Sequence, residues 1–197
     1  MCAAFAGYWL AQQLDRAGPR LASGTWLPRP KPVGEFALTD INGRSLTPAD
    51  LRGAPTLVFF GFTHCPDVCP TTLLLLAQVR KRVAPAEMRV LFISVDPQRD
   101  TAPVLSAYLR AFDPAFRGGT AAAPAIARLA KDFGVAVSRV ELPGGDYTMD
   151  HSAVVFLLDA DARIAAIFTP PFDAGALAAD LKRAAPFLGA GEPRSSS

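Results

Sequence analysis

Cysteine and histidine are nearly missing from this sequence: 197 residues hold three cysteines and two histidines. A small scaffold stapled by disulfides is thereby excluded, because such folds need several cysteine pairs. Charge is thin as well, at 19% Asp, Glu, Lys and Arg, with a formal net charge of +2. No long basic tract occurs, which excludes the electrostatic footprint of a nucleic-acid binder. Internal repeats are lacking, and with them a repeat architecture. What the chain does have is apolar surface: half of it is hydrophobic, enough for one ordinary core with tails at both ends.

The ends divide from the middle by composition. Residues 1–17 open with an uncharged apolar stretch containing Phe5, Tyr8, Trp9 and Leu10. The stretch is shorter than the ~20 residues a spanning helix needs, and it lacks the basic start and cleavage site of a signal peptide. It reads either as an apolar helix lying on a membrane or on the fold or, the favoured reading, as the outer end of a membrane anchor, with Tyr8 and Trp9 suited to the interfacial belt. Residues 18–33 are rich in proline (Pro19, Pro28, Pro30, Pro32). Proline fixes φ and removes donors, so this stretch reads as an extended, poorly ordered linker. The folded domain is expected over 34–188, and 189–197 as a disordered tail.

Within the domain, short apolar runs alternate with helical patterns. Residues 56–60 (TLVFF) form a short continuous apolar run, the mark of a strand buried on both faces, and residues 89–95 (RVLFISV) read as a second buried strand. Residues 71–82 read as a helix with Pro70 at its first position, and further helices fall near 101–112, 124–133 and 174–185. Strands are expected at 135–140, 152–158 and 163–168, the last two joined by a turn at 159–162. An early hairpin turns at Asn42-Gly43. The order strand–helix–strand, then strand–strand–helix, describes an α/β domain with a thioredoxin-like fold. It has a central mixed sheet flanked by helices and an added N-terminal β-hairpin. A crossover helix makes the first two central strands parallel.

The chemistry concentrates in residues 61–70, GFTHCPDVCP. This segment leaves the C-terminal end of a central strand, where ligand sites of open α/β sheets lie, and enters a helix N-terminus, where thiols ionise more easily. Cys65 and Cys69 are one residue further apart than a common redox pair, and the Pro-bounded loop lets both face one side. They are able to close a disulfide or to grip one metal ion. His151 precedes a strand expected to run antiparallel to residues 56–60, so topology carries it toward the cysteines. Pro143-Gly144-Gly145 makes the approach to it mobile. His64 adjoins Cys65, but neighbouring side chains in an extended loop diverge, and it reads as a non-ligand. Two thiolates and an imidazole suit copper, because soft sulfur selects Cu(I) or zinc while a structural zinc site wants four protein ligands.

Three segments in the right order carry a family resemblance: 61–70, then 95–101 (VDPQRDT), then Asp150-His151-Ser152. Together with Phe36 to Asp40 and Asn42-Gly43, they resemble the signatures of the Sco/SenC family of copper chaperones, over about 34–188. The resemblance implies a thioredoxin-like fold anchored in a membrane. The domain would lie on the periplasmic side or in the mitochondrial intermembrane space. It implies copper, as Cu(I), Cu(II) or both, held by Cys65, Cys69 and His151. It also implies a role in maturing the binuclear copper centre of cytochrome c oxidase. Expected partners are the copper-bearing oxidase subunit, other copper carriers or thiol reductases, and the membrane, with no nucleic acid. Asp96, Arg99 and Asp100 read as loop structure, with Asp100 capping the following helix, or else as an acidic rim beside the metal.

A second function fits the same pair. In a thiol–disulfide oxidoreductase without a metal role, Cys65 would attack and Cys69 would resolve the mixed disulfide. His151 separates the two readings, because thiol exchange does not need it. A peroxidase, suggested by Thr63 two residues before Cys65, lacks an adjacent arginine.

Overall fold

The structure is a computed structural model that describes residues 18–83 and 88–189. The expected apolar segment at 1–17, and the tail beyond 189, lie outside the described residues. Among the described residues no helix is long and apolar enough to cross a membrane.

Among the described residues, ten strands and four α-helices follow one another. The strands are β1 (Gly24–Pro32), β2 (Leu38–Asp40), β3 (Ser45–Leu46), β4 (Thr56–Gly61), β5 (Arg89–Ser94), β6 (Arg117–Thr120), β7 (Val137–Glu141), β8 (Tyr147–His151), β9 (Val155–Leu158) and β10 (Arg163–Phe168). The helices are α1 (Val68–Arg82), α2 (Ala102–Arg110), α3 (Ala123–Phe133) and α4 (Ala174–Ala184). Eight strands form one mixed sheet in the order β1-β10-β9-β4-β5-β6-β2-β3. The strands β4, β5 and β6 are parallel, and β9 runs antiparallel to β4.

Every residue of β4 and β9 is buried, as uninterrupted apolar runs demand when both faces are covered. Successive strand residues point to opposite faces. Phe59 therefore joins Phe92 and, through it, Tyr108 of α2, whereas Phe60 meets Phe133 of α3 and Phe156. Helix α1 packs beside α4. The expected thioredoxin-like domain, with its early hairpin β2–β3, is present.

Several local expectations are corrected. The stretch read as a poorly ordered linker is extended, but nine of its residues form β1, an edge strand paired with β10. An edge tolerates proline because one side of the strand needs no donors. The register shifts between Trp26 and Lys31, within the run of prolines. Asp180, fully buried, ties this segment down by accepting from the Ala22 and Ser23 amides at 2.7–3.0 Å and from the Ser23 hydroxyl at 2.7 Å.

Strand β6 was not expected, because Gly118-Gly119 has poor strand propensity. The glycines are there for clearance: a Cβ on Gly118 would lie 2.3 Å from Leu109 Cδ1, and one on Gly119 2.9 Å from the Thr39 carbonyl oxygen. The strand expected at 152–158 begins only at Val155, and His151 ends a separate ribbon in which β8 pairs with β7 alone. Helix α1 starts at Val68, earlier than expected, so Cys69 lies in its first turn.

Candidate metal centre

Strand β4 ends at Gly61, and the chain then turns through Phe62 to Asp67 into α1. The Cys65 amide donates to the Phe62 carbonyl at 3.3 Å, closing a tight turn. Cys65 stands half-buried at the rim, while Cys69 is fully buried beneath it. The Cys69 amide donates to Cys65 Sγ at 3.3 Å, so the helix start supplies one donor to the first sulfur. Gly61 makes room for the second: a Cβ there would lie 3.0 Å from Cys69 Sγ. Both cysteines are free thiols.

His151 arrives from the other side, at the end of β8, where it pairs with Val137. Its Nε2 lies 3.4 Å from Cys69 Sγ, and its Nδ1 lies 3.3 Å from the Ser152 carbonyl oxygen. A proton on Nδ1 directed at that carbonyl leaves the Nε2 lone pair facing the sulfurs. The ring sits edge-on to Phe59 and Phe62, with centroids 6.0 and 5.9 Å away. The ligand atoms of Cys65, Cys69 and His151 all fall within 4.8 Å of one another. The three residues singled out from the sequence thus converge on one point.

The electrostatics make both Cys69 and His151 neutral when no metal is present. Burial pushes the Cys69 thiol well above its ordinary value, outweighing the amide of Phe62 that favours the thiolate. The expectation that the helix start would ease ionisation therefore fails for Cys69: desolvation of a fully buried sulfur exceeds what a helix N-terminus returns. Burial also lowers the His151 imidazole, against the opposing pull of the Ser152 carbonyl and Asp150. A neutral imidazole is the form that binds metals. Two sulfurs and one nitrogen, in a pocket edged by aromatic rings, form a soft donor set for a monovalent or divalent copper ion.

Other residues near the loop stay apart. His64 is exposed, its Nδ1 3.1 Å from the Thr63 hydroxyl. Asp67 and Asp150 are exposed and lie outside the three-residue cluster. The loop after β5 does something the sequence did not reveal. Asp100 does not cap α2, whose N-terminal residue Thr101 has no side-chain cap. Its carboxylate instead accepts from the Thr63 amide at 3.0 Å, the Thr63 hydroxyl at 2.6 Å and the Ser94 hydroxyl at 2.5 Å. Thr63 is thereby engaged away from the thiols.

The family model described as SCO1/SenC matches residues 27–186. The chain is 37% identical over 166 residues to the cattle (Bos taurus) "Protein SCO2 homolog, mitochondrial", an alignment covering 81% of this chain and 62% of that protein. It therefore spans less than two thirds of that relative's length. Among solved structures, it is similar to Bradyrhizobium japonicum ScoI with copper bound at 42% identity. That match covers 78% of this chain and 99% of the other, with a TM-score of 0.71. It is similar also to Arabidopsis thaliana ScoI with copper bound, at 32% identity, 76% and 96% coverage and a TM-score of 0.73.

Proposed function

From the premise that this chain belongs to the SCO1/SenC family, whose model matches residues 27–186, we propose that it binds one copper ion through Cys65, Cys69 and His151. It passes that ion on during assembly of the binuclear copper centre of cytochrome c oxidase. The observation that carries the reading is the meeting of two thiols and one imidazole within 4.8 Å, on segments far apart in sequence. Copper is the cargo, and the donors fit it. Cu(I) is satisfied by two thiolates with or without nitrogen, and Cu(II) needs the imidazole. Two of the ligands come from one continuous segment, a loop and the first turn of α1, and the third from a separate ribbon, so the third ligand is free to leave while a partner's ligand enters. By extension from its mitochondrial relatives, the domain lies outside the cytoplasm, held to a membrane through residues 1–17. Its partners there are the copper-bearing oxidase subunit, other copper carriers and thiol reductases.

Metal analysis of the reduced protein tests this. About one copper per chain is expected, with a sulfur-to-Cu(II) charge-transfer band in the visible spectrum. In Cys65→Ser or Cys69→Ser the band disappears. In His151→Ala, Cu(II) binding is lost while Cu(I) stays on the two thiolates. Full Cu(II) binding by His151→Ala would refute the site.

A second reading rests on the asymmetry of the pair. Cys65 is half-buried and Cys69 fully buried, the arrangement of an attacking and a resolving thiol. In that role the chain reduces a disulfide in its copper target. If His151→Ala sustains oxidase assembly while Cys65→Ser abolishes it, thiol exchange is the function.

A further inference from the structure

The ribbon that presents His151 belongs to no larger sheet: β7 and β8 pair only with each other, and all ten of their residues are exposed or half-buried. Something must hold it against the body. At its far end Tyr147 reaches the loop after β5, and its hydroxyl donates to Asp96 Oδ1 at 2.8 Å. Asp96 is 2% exposed, and its other oxygen accepts from Arg99 Nε. Arg99 Nη1 donates to the Tyr147 carbonyl at 3.0 Å. The Tyr147 ring is covered by two guanidinium groups, Arg99 at 3.8 Å and Arg139 at 3.7 Å from its centroid. Asp100 in the same loop holds Thr63 of the cysteine segment. One short loop therefore grips both segments that carry the proposed ligands.

We propose that Tyr147, Asp96 and Arg99 form a latch on the histidine ribbon, and that the Tyr147 hydroxyl is a positioning group that sets how readily His151 leaves the copper. The inference rests on the copper-carrier reading for its consequence, but the latch itself is a property of the metal-free chain. Tyr147 touches no ligand. It acts through five residues of strand, with His151 at the opposite end. When the phenol–Asp96 bond opens, the ribbon loses its one bond to a buried carboxylate; what remains at that end is Arg99 on the Tyr147 carbonyl and ring and Arg139 Nη1 on Gln98 Oε1 at 3.1 Å, groups that are themselves partly solvated, and at the other end the packing of His151 on Phe59 and Phe62. Closed, the latch keeps the third ligand in place; open, it leaves two thiolates and a free coordination position for an incoming donor.

Tyr147→Phe removes the hydroxyl and keeps the ring between the two guanidiniums, so the fold is retained. In the full chain loaded with Cu(I), transfer to an excess of a chromogenic Cu(I) chelator is followed by stopped flow. Tyr147→Phe is expected to transfer roughly tenfold faster, the effect of losing one hydrogen bond to a charged group. In a His151→Ala background the same substitution is expected to change nothing, since the ligand it holds is gone. A structural role alone would accelerate release in both backgrounds. In the metal-free protein, amide exchange across β8 is expected to rise in Tyr147→Phe while β4 and β5 keep their protection. Unchanged β8 exchange, unchanged transfer, or equal acceleration without His151 overturns the latch. If the wild type takes up no copper, the carrier reading falls by itself, and the exchange measurement alone decides the latch.

Discussion

Cys69 and His151 are neutral donors side by side, each made so by burial. The two shifts act at opposite ends of the pH scale. The Cys69 thiol is raised above its unfolded value of about 8.5, so its contribution to stability is intact below that pH and is lost as pH rises past it. Between pH 8.5 and 9.5 the wild type should lose about 1 kcal/mol that Cys69→Ala does not lose, measured by urea denaturation of reduced protein. The His151 imidazole is lowered below its unfolded value of about 6.5. Its contribution is therefore present above that pH and lost as pH falls toward the folded value. His151→Gln should flatten the acid side of the stability profile. Accessibility separates the thiols too. Mass-mapped alkylation of the native, reduced protein should label Cys65 at least about tenfold faster than Cys69, because the latter must wait for an opening of the fold. Equal rates would contradict the burial assigned to Cys69.

At the scale of elements, what was legible in the sequence was what burial writes into it. The runs at 57–60 and 90–93 are apolar without a break because both faces of β4 and β5 are covered there. Strand β6 was illegible because its glycines answer to neighbours elsewhere in the chain, Gly118 to Leu109 and Gly119 to the Thr39 carbonyl. Gly119→Ala should cost about 1–3 kcal/mol, since the added methyl meets backbone, which yields less than a side chain. A melt within a degree of wild type would contradict the close approach. Strand β1 was hidden by its prolines, which usually punctuate loops and are tolerated here only by an edge. Asp180, which ties the start of that segment, shows how the contest was won. Burial raises it, yet the Ala22 and Ser23 amides, the Ser23 hydroxyl and Arg183 together hold it below its ordinary value. Asp180→Ala should destabilise by about 2 kcal/mol or more, because the loss leaves those donors without their charged acceptor. The ribbon β7–β8 did carry a signal that composition masked. Pro143-Gly144-Gly145 separates two five-residue segments, and both glycines adopt positive φ, 87° and 83°, as a tight hairpin connection requires. Strand β7 answers to the strand expected at 135–140, whereas β8 was not expected: none of its five residues is fully buried, so no apolar alternation marks it.

For the whole molecule, the topology is what converts a distant histidine into a neighbour. Strand β9 runs antiparallel to β4, with Phe59 opposite Val155, so the chain entering β9 lies at the edge where β4 releases the cysteine loop. That relation followed from strand order alone, and the three ligand candidates were named on it. The coupling of both ligand segments to the 96–100 loop was beyond sequence reading. Asp100 meets Thr63, and Asp96 meets Tyr147, only in the folded state, and Asp100 carried a ready local explanation as a helix cap that it does not fulfil. The same convergence predicts redox gating of the whole protein. Oxidation to a Cys65–Cys69 disulfide consumes both sulfurs, so oxidised protein should take up no copper, and a thiol reductant should restore about one ion per chain. The most direct test is X-ray absorption at the copper edge of the reduced, copper-loaded protein, with His151→Ala beside it. The wild type should give a shell of two sulfurs and one nitrogen, and the variant should keep the sulfurs and lose the nitrogen. A wild-type shell of sulfur alone, or a nitrogen that survives removal of His151, would contradict it.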